Sequence, residues 1–325
     1  MMSLKGKVIL VTGGSGSFGQ KFTEIVLREH NPKAIRIFSR GELLQYEMRQ
    51  TFKDDSRLRF FLGDIRDRER VFRAMHGVDI VVHAAALKQV PTCEYNPIEA
   101  VKTNIDGTIN IIDAAIDRGV EKTIAISSDK AVHPVNLYGA TKMVMERLFS
   151  QANVYTGTGK TRFSCTRYGN VIGSRGSVVP LFFEQRKTGS ITITDERMTR
   201  FWLTLSQGVN FVINCLDRMQ GGEVFVPKIP STRITDLAGA IAPEAKIVIT
   251  GIRPGEKLHE VLLTEDEARH SKEFDNYYVV EPEHSFWHGD SLKDCVTLPD
   301  GFAYTSDNNK QWLTGDMLKK AILEH

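Results

Sequence analysis

The chain has 325 residues, of which 41% are hydrophobic and 25% charged, and its formal net charge is +2 at pH 7. This composition is ordinary for a soluble globular protein, and so small a charge excess does not indicate a nucleic-acid or membrane-surface partner. No segment has the roughly 20 apolar residues that a membrane-spanning helix needs, and the length suggests two domains or one large domain with a cap.

Short apolar runs alternate with helix-length amphipathic segments through the first half of the chain. One such helical segment covers 96–119, and the apolar runs are at 7–13, 34–40, 58–64, 79–85, 122–128 and 162–171. This alternation predicts a parallel sheet with helices on both faces, and continuously apolar strands fit a sheet that is covered on both sides. We therefore predict an α/β fold of the doubly wound, Rossmann type.

The pattern becomes irregular in the second half of the chain. It predicts a helix over 205–219, a strand over 221–227, a helix over 234–243 and mostly loop over 280–310. We assign residues 1–170, with a returning segment at about 205–230, to a dinucleotide-binding domain. Residues 171–204 and 231–325 are expected to form a smaller substrate-binding domain over the carboxyl edge of the sheet, where ligands bind in such folds.

The glycine-rich stretch VTGGSGSFGQKF follows the first predicted strand and opens a helix. Gly13, Gly16 and Gly19 give a GxxGxxG spacing, in which glycine lets the backbone turn tightly and approach a pyrophosphate at the helix N-terminus. The pattern alone is weak, but its strand–turn–helix context favours a dinucleotide site over a plain glycine turn. Ser17 and Phe18 lie in the same loop and are expected to contact the cofactor.

The end of the second predicted strand bears on the choice between NAD and NADP. An acidic residue there would bind the ribose 2′-hydroxyl of NAD, but the sequence has Ser39 and Arg40 at this point, and a guanidinium suits a 2′-phosphate. We therefore predict NADP. The alternative is a solvated surface arginine, with Glu42 binding the ribose of NAD. At the end of the third strand, Asp64 is expected to meet the adenine amino group.

Tyr138 and Lys142 form a YxxxK pair soon after the fifth predicted strand, at the edge where a nicotinamide would lie. Residues four apart share one face of a helix. A tyrosine has a pKa of about 10, and a neighbouring ammonium and a positive cofactor ring would favour its phenolate. The phenolate could then take a hydroxyl proton while hydride leaves the same carbon. The alternative is an exposed helix tyrosine without a catalytic role.

The four cysteines are scattered along the chain, form no CxxC pair and have no spacing with histidine that suits zinc. Isolated cysteines fit a reducing compartment, and the N-terminal apolar stretch is too short for a signal peptide. The histidines have no ligand spacing on a shared helix, and His83 is expected to be a core or loop residue. We predict a cytoplasmic protein without a metal site.

The glycine loop, the sequence SSDK at 127–130 and the sequence YGATK at 138–142 together resemble the extended short-chain dehydrogenase/reductases that act on nucleotide sugars. Within them the chain is most similar to the inverting UDP-N-acetylglucosamine 4,6-dehydratases of pseudaminic acid biosynthesis. The similarity covers nearly the whole chain and includes HAAALKQVPTCEYNPIEAVKTNIDG, TRYGNVIGSRGSVVP, MTRFW, GEVFVPKIPS and YTSDNN.

The resemblance implies a catalytic role for the adjacent Asp129 and Lys130. Retaining 4,6-dehydratases carry Asp–Glu after this strand and simple 4-epimerases have no acid–base pair there, whereas the inverting group carries Asp–Lys, as this chain does. Tyr138 would act as the base for C4 oxidation by NADP⁺, after which Lys130 removes the C5 proton and Asp129 protonates the departing C6 hydroxyl. Hydride return to C6 and protonation of C5 on the opposite face give UDP-2-acetamido-2,6-dideoxy-β-L-arabino-hex-4-ulose without net redox change.

These roles require opposite pKa shifts. Lys130 must be neutral to act as a base, so its pKa is expected to be depressed by the oxidised nicotinamide and by burial under substrate. Asp129 needs a raised pKa to act as an acid. The competing interpretation is a simple surface Asp–Lys pair.

The resemblance also implies two sets of binding residues. The cofactor set is Gly13, Gly16, Ser17, Phe18, Gly19, Ser39, Arg40, Glu42, Asp64, Ile65, Ala84, Lys88, Tyr138, Lys142 and Val171. The set for the substrate UDP-N-acetylglucosamine is Lys88, Ser127, Asn170, Val179, Thr192, Arg253 and Glu256. Arg253 suits a diphosphate and Glu256 suits ribose hydroxyls, although RPGE is also a favourable turn sequence.

Two positions depart from the inverting group: Gly41 stands where SRDE is usual, and His133 precedes Pro134 where Asn–Pro is usual. The same-fold alternatives are a retaining 4,6-dehydratase and a 4-epimerase of a UDP-sugar. An alternative from another class is a non-catalytic NADP-sensing protein. The resemblance further implies a homo-oligomer, either a dimer or a hexamer, and a role in flagellin glycosylation or another surface glycan. It leaves open whether a second C5 epimerisation occurs.

Overall fold

The computed structural model describes residues 4–157, 159–173, 177–282 and 295–323. Its strands are β1 (Val8–Thr12), β2 (Ala34–Ser39), β3 (Leu58–Leu62), β4 (Ile80–His83), β5 (Lys122–Ser128), β6 (Arg162–Tyr168), β7 (Asn170–Val171), β8 (Ser190–Ile193), β9 (Thr199–Leu203), β10 (Val224–Pro227), β11 (Ser231–Arg233), β12 (Lys246–Ile249), β13 (Val261–Leu263), β14 (Ser271–Glu273), β15 (Tyr277–Val280), β16 (Val296–Thr297) and β17 (Tyr304–Thr305).

The helices alternate with these strands through the first half of the chain. They are α1 (Ser17–Glu29), α2 (Glu42–Thr51), α3 (Arg68–Ala74), α4 (Val90–Tyr95), α5 (Pro97–Val101), α6 (Gly107–Asp117), α7 (Leu137–Tyr155), α8 (Val178–Arg186), α9 (Leu205–Arg218), α10 (Ile234–Ile241), α11 (Glu265–Ala268) and α12 (Gly315–Leu323). A π-helical turn (Lys102–Asp106) joins α5 to α6, and a 3-10 turn (Asp129–Ala131) follows β5. Among the described residues, no helix has the length and apolar composition needed to cross a bilayer.

A ten-stranded sheet has the order β16-β14-β15-β10-β6-β5-β4-β1-β2-β3. The seven strands from β10 to β3 are parallel to one another. The chain builds outwards in opposite directions from the neighbouring strands β1 and β4, which is the point where ligands bind in open α/β sheets. The predicted doubly wound α/β fold is therefore confirmed.

Burial explains why the central strands form continuous apolar runs in the sequence. Every residue of β1 and of β4 is buried, because helices cover both faces of a parallel sheet. The last strand in the parallel order, β3, has only one fully buried residue, Leu58. The predicted helices over 205–219 and 234–243 are confirmed as α9 and α10, and α9 begins at a capping box formed by Thr204 and Gln207.

The three strands β14, β15 and β16 differ from the sequence prediction, which assigned 231–325 to the smaller domain and 280–310 mostly to loop. Strand β15 pairs antiparallel with β10, with Val224 opposite Val280, and β14 and β16 continue the sheet outwards. The aromatic and β-branched sequence YYVV fits a half-buried strand, and its pairing covers an edge of β10 that would otherwise be open. The assignment of the whole of 231–325 to the smaller domain is therefore wrong for these strands.

A second hydrophobic core lies outside the large sheet. It contains Ile191 of β8, Trp202 of β9, Leu237 of α10 and Leu318 of α12, all almost completely buried. Strands β8 and β12 form a separate two-stranded parallel sheet. The segments predicted to bind substrate thus have a core of their own, although β9 contributes to both cores through Phe201 and Trp202.

His83, at the end of β4, is a core residue, as predicted, and is only 1% exposed. Its Nδ1 lies 2.8 Å from Thr12 Oγ1 and its Nε2 lies 3.3 Å from Thr108 Oγ1. Burial, followed by the positive charge of Lys142, lowers the pKa of His83 to about 3. The imidazole is therefore neutral in the folded protein over the whole physiological range.

This burial predicts a specific dependence of stability on pH. Folded His83 stays neutral down to a pKa of about 3, whereas an unfolded histidine binds a proton below its pKa of about 6.5. Between these values the unfolded state binds one proton more, so falling pH should cost the wild type up to about 1.4 kcal/mol per pH unit more than His83→Gln. Urea unfolding over a pH series measures both slopes, and identical slopes below pH 6.5 would contradict the prediction.

Candidate active site

A cleft of about 800 Å³ opens at the carboxyl ends of the parallel strands. Parallel strands bring the residues that follow them to one edge of the sheet. Of the predicted site residues, those that line the cleft are Gly13, Gly16, Ser17, Phe18, Ser39, Arg40, Asp64, Ile65, Ala84, Lys88, Ser127, Asp129, Lys130, Tyr138, Lys142, Asn170 and Val171. The predicted residues outside its lining are Gly19, Glu42, Val179, Thr192, Arg253 and Glu256.

The glycine loop between β1 and α1 forms one wall of the cleft. Gly13 has φ of +65°, and a Cβ there would lie 3.0 Å from backbone atoms of Ala85. At Gly19 a Cβ would lie 2.3 Å from the carbonyl oxygen of Gly14, so glycine is needed where α1 packs against the loop. Gly19 therefore shapes the loop from behind, while the N-terminus of α1 is left accessible to an anion.

Several buried polar atoms along the cleft have no hydrogen-bond partner among the described residues. They are Thr103 Oγ1, Ser127 Oγ, Asn170 Oδ1 and Ser177 Oγ, and all four residues line the cleft. Buried polar groups in folded proteins are almost always hydrogen-bonded, and each exception needs an explanation. Unpaired hydroxyl and amide groups converging on one cleft fit a site for a large polar ligand.

The mouth of the cleft at the end of β2 carries a mobile positive charge. The side chain of Arg40 is 54% exposed and its Nη1 lies 3.6 Å from Asp64 Oδ2. Asp64 is also paired with Arg66 at 2.7 Å, and although burial opposes the effect, these arginines lower its pKa. Ser39 Oγ accepts hydrogen bonds from Ser15 and Gln45. Arg40 is thus the cation available to a ligand at this end.

The end of β5 and the start of α7 are held together by close backbone contact. Ser128 Oγ accepts from Lys130 N at 3.1 Å, which fixes the 3-10 turn, and Asn136 Oδ1 accepts from Gly139 N at 2.8 Å, which begins α7. A Cβ at Gly139 would lie 2.2 Å from the carbonyl oxygen of Lys130. Glycine at this position therefore allows Tyr138 to lie directly beside the turn that carries Asp129 and Lys130.

Tyr138 and Lys142 lie on one side of α7, and both are buried. Burial raises the pKa of Tyr138, although a hydrogen bond with Ser128 and the charge of Lys130 oppose this. Lys142 Nζ donates to the carbonyl of Ile126, and burial lowers the pKa of Lys142 to about 8. The expectation that a neighbouring ammonium lowers the pKa of Tyr138 is wrong in net direction, because desolvation of the phenolate outweighs the nearby charges.

Asp129 and Lys130 form a close ion pair in which Lys130 Nζ donates to Asp129 Oδ1 at 3.0 Å. Asp129 is only 1% exposed, and burial raises its pKa, as predicted. Burial alone would lower the pKa of Lys130, but Asp129 and Glu260 reverse the effect and raise it. The predicted depression of the pKa of Lys130 is therefore wrong, because two carboxylates stabilise its ammonium. The interpretation as a simple surface pair is also wrong, since Asp129 is buried.

The sequence analysis missed three charged residues around this pair. Glu260 Oε1 lies 3.6 Å from Lys130 Nζ and 3.7 Å from Arg200 Nε, and Glu260 Oε2 lies 3.7 Å from Lys257 Nζ. Lys257 and Glu260 belong to RPGEKLHE, in which we had singled out only Arg253 and Glu256. The adjacency of a turn sequence to two further charges was the available signal, but nothing in the sequence indicates which of the four charges point to the turn after β5.

The remaining predicted substrate residues have other surroundings. Val179 is 3% exposed and packs in the second hydrophobic core, so its side chain is unavailable to a ligand in the cleft. Thr192 Oγ1 accepts from Gln185 Nε2 at 2.7 Å. Glu256 N donates to Arg253 O at 3.1 Å, so RPGE forms the turn that its sequence favours. Glu42 is an exposed residue in the first turn of α2.

Metal-binding geometry was sought among the histidine, cysteine, aspartate and glutamate side chains. Within the ranges that the structure describes, no group of three such side chains is arranged to hold a metal ion. Cys93, Cys165 and Cys215 are buried free thiols.

Comparisons with known proteins cover nearly the whole chain. A family model described as "Polysaccharide biosynthesis protein" matches residues 9–282. UDP-N-acetylglucosamine 4,6-dehydratase (inverting) from Campylobacter jejuni subsp. jejuni serotype O:23/36 (strain 81-176) is 52% identical over 316 residues, which cover 94% of each chain. UDP-glucose 4-epimerase from Rickettsia rickettsii (strain Sheila Smith) is 40% identical and covers 98% of this chain and 95% of its own. The X-ray structure of Pen from Bacillus thuringiensis superposes with a TM-score of 0.92 at 40% identity, over 99% of both chains.

The contact between Gly139 and the Lys130 carbonyl predicts that Gly139→Ala is destabilising. The new Cβ would lie 2.2 Å from a backbone oxygen, so α7 or the turn must shift, at a cost of about 1–3 kcal/mol in the free energy of unfolding. Gly239→Ala is the matched control, because Gly239 lies in α10 with open space around it, and alanine there should stabilise by up to about 1 kcal/mol. Urea unfolding measures both changes, and equal values for the two variants would refute the close contact.

Proposed function

Since the chain belongs to the polysaccharide biosynthesis protein family, we propose that it is an NADP-dependent, inverting UDP-N-acetylglucosamine 4,6-dehydratase. Its relatives also confirm the resemblance to the extended short-chain dehydrogenase/reductases. The observation that carries the proposal is the buried Asp129–Lys130 ion pair beside Tyr138 at the carboxyl end of β5. A lyase that removes water from a sugar needs an acid and a base at one site, and this pair supplies both.

The cofactor proposal is supported by the shape and charge of the cleft. The glycine loop and the start of α1 would hold the pyrophosphate, Arg40 the 2′-phosphate, Asp64 the adenine, and Lys142 the nicotinamide ribose. The partnerless Thr103 and Ser177 hydroxyls in the lining also suit a polar dinucleotide. When bound, NADP supplies hydride transfer, taking a hydride from C4 of the sugar and returning it to C6.

Tyr138 is the residue we assign to the C4 hydroxyl. Its phenol is buried next to the catalytic turn and is held by a hydrogen bond with Ser128. To act as a base it must lose its proton, and the positive charges at Lys130 and Lys142 offset the cost that burial imposes on the phenolate. The 4-keto group formed after this proton leaves makes the neighbouring C5 proton acidic.

The ion pair can supply the acid and the base of the elimination without gaining or losing a proton overall. One proton moves from Lys130 Nζ to Asp129 Oδ1 along their 3.0 Å hydrogen bond, which gives a neutral amine and a carboxylic acid. The amine then takes the C5 proton, the C5–H electrons form the C5=C6 bond, and the C6–O bond breaks. Asp129 protonates the leaving oxygen, which departs as water, and the pair is again an ammonium and a carboxylate.

The remaining parts of the proposal concern substrate, product and assembly. Lys88, Ser127 and Asn170 line the cleft and suit a nucleotide sugar. The turn at Arg253–Glu256 is tied to the site because Asn136 Nδ2 donates to Gly255 O at 2.8 Å, which supports a role for this turn and the smaller core in holding UDP. Protonation of C5 on the opposite face gives the L-arabino 4-keto product, which we assign to the first step of pseudaminic acid biosynthesis in the cytoplasm.

The proposal that the enzyme is a homo-oligomer is supported by exposed apolar residues on neighbouring helices. Tyr95 of α4 is 88% exposed, Ile98 of α5 is 66% exposed and Tyr155 of α7 is 74% exposed. Large apolar side chains grouped on the surface are typical of subunit contacts.

The second candidate function is a UDP-sugar 4-epimerase, which the 40% identity to the Rickettsia rickettsii protein favours. An epimerase needs the C4 base Tyr138 but has no use for a buried acid–base pair. A retaining 4,6-dehydratase and a non-catalytic NADP-binding protein are weaker alternatives, because the first would carry Asp–Glu at this turn and the second would need neither pair.

Proton NMR of UDP-N-acetylglucosamine mixed with the purified protein in D₂O, without added cofactor, tests the proposal. We expect a 4-keto-6-deoxy product with deuterium at C5 and L-arabino couplings. Lys130→Met should slow deuterium incorporation at C5 by roughly 100-fold to 10,000-fold, the usual contribution of a general base. Lys187→Met is the control, since this lysine is exposed on the surface after α8 and its loss should change nothing.

Other products would identify the alternatives. Deuterium at C5 with the D-xylo configuration would mean a retaining dehydratase, and UDP-N-acetylgalactosamine would mean an epimerase. No change, even with added NADP⁺, would exclude turnover of this sugar and would favour another sugar nucleotide or the NADP-binding protein.

The position of Arg40 predicts the cofactor preference. Arg40→Ala should weaken NADP binding by about tenfold to 100-fold, because a hydrogen bond to a charged group contributes roughly 1.5–3 kcal/mol, and should leave NAD binding nearly unchanged. Arg49→Ala is a matched control, since Arg49 on α2 is 51% exposed and is not among the lining residues. Calorimetric titration with both cofactors measures the affinities. An equal loss for NAD and NADP would contradict a 2′-phosphate contact.

A further inference from the structure

A second buried carboxylate contacts Lys130 in addition to Asp129. Glu260 is 3% exposed, and it lies just before β13 in a part of the chain that the proposed mechanism does not use. It is not among the residues that line the cleft. The geometry points to Glu260 as a positioning residue that holds the Lys130 amine in place and sets the charge balance of the acid–base pair. This inference rests on the proposed function, because it concerns the pair assigned to the elimination.

The first argument is the arrangement of charges around Glu260. Its Oε1 lies 3.6 Å from Lys130 Nζ and 3.7 Å from Arg200 Nε, and its Oε2 lies 3.7 Å from Lys257 Nζ. Lys130 Nζ therefore lies between two carboxylates, Asp129 at 3.0 Å and Glu260 at 3.6 Å. An amine held from two sides has less freedom to rotate than one held from one side, so its lone pair is better directed when the proton leaves.

The second argument is that Glu260 is rigidly mounted. Its backbone N–H donates to Ser306 Oγ at 2.9 Å, and Ser306 N donates to the Glu260 carbonyl at 2.8 Å. The Arg200 guanidinium donates to the carbonyls of Leu258 and Lys257. Lys257 Nζ also donates to Val132 O, directly after the catalytic turn. The segment from 257 to 260 is therefore fixed both to β9 and to the turn whose lysine it contacts.

The third argument is the balance of charge. The groups that face Glu260 are Lys130 and Asp129 from the turn, Arg200 from β9 and Lys257 from its own segment, while Tyr138 of α7 and Lys88 of the loop after β4 act on Lys130. Without Glu260, three cations would face one carboxylate. Removing a negative charge from this position lowers the pKa of both Lys130 and Asp129, since each proton is then held in a more positive surrounding.

The pair is active when it carries one proton in total, which it can pass between Lys130 and Asp129. Its pH profile therefore has two limbs, one where a second proton is bound and one where the last proton is lost. Glu260→Gln should move both limbs to lower pH by about 1 to 3 units, the usual effect of one charge within 4–6 Å. Lys257→Gln removes a positive charge and should move both limbs to higher pH.

The test is the pH dependence of deuterium incorporation at C5 of UDP-N-acetylglucosamine, measured by NMR for the wild type and both variants. Glu267→Gln is the matched control, because Glu267 is a buried carboxylate paired with Arg167 at 2.8 Å, away from the turn. It should lower the melting temperature without moving the profile. Opposite shifts in Glu260→Gln and Lys257→Gln support the inference, since a loss of packing alone would slow exchange in both without moving either optimum.

A measurement without substrate separates this inference from the proposed function. In lysine-labelled protein, NMR titration of the Nζ of Lys130, assigned with Lys130→Arg, should give a lower pKa in Glu260→Gln and a higher one in Lys257→Gln. If the wild type dehydrates the sugar but neither variant shifts the profile or the Nζ titration, the role of Glu260 is refuted and the function stands. If the Nζ titration shifts but no sugar is converted, the charge coupling stands and the function is refuted.

If Glu260→Gln does not fold, Lys257→Gln carries the test, since its charge is closer to solvent and its glutamine can still donate to Val132 O. An unchanged profile in a folded Lys257→Gln would overturn the inference.

Discussion

The cluster of Asp129, Lys130 and Glu260 at the end of β5 is the constraint on which the rest of the site depends. Two carboxylates that are almost fully buried are costly unless cations compensate for them. The cations come from the catalytic turn, from β9 through Arg200 and from the segment before β13 through Lys257. These elements must therefore be correctly placed together, and the same contacts join the large sheet to the strand that contributes to both hydrophobic cores.

The same burial explains how a lysine with a raised pKa can be part of an acid–base pair. Lys130 does not have to lose its proton to solvent, because Asp129 is 3.0 Å away and has a raised pKa itself. Transfer inside the pair keeps the total charge constant, so no charge has to be moved through the low-dielectric interior. Tyr138, whose pKa burial also raises, keeps its proton until a ligand changes its surroundings. The resting site is thus stable and fully protonated.

The sequence allows prediction of those features that depend on local pattern. The apolar runs, the glycine loop and the YxxxK pair could be located because periodicity, glycine geometry and helical spacing act over a few residues. The antiparallel strand β15 was missed because its pairing with β10 is a long-range contact. The direction of the Lys130 pKa shift was missed for the same reason, since Glu260 is 130 positions away in the chain and no local pattern connects the two residues.

The structure also separates the two chemical tasks of the site between two elements. Tyr138 and Lys142 lie on α7, whereas Asp129 and Lys130 lie on the turn after β5, and the two elements meet where Gly139 packs on the Lys130 carbonyl. A UDP-glucose 4-epimerase that is 40% identical to this chain needs the oxidising part alone. The charges that surround the turn, with Glu260 as their centre, are therefore the part of the structure on which elimination, as distinct from oxidation, depends.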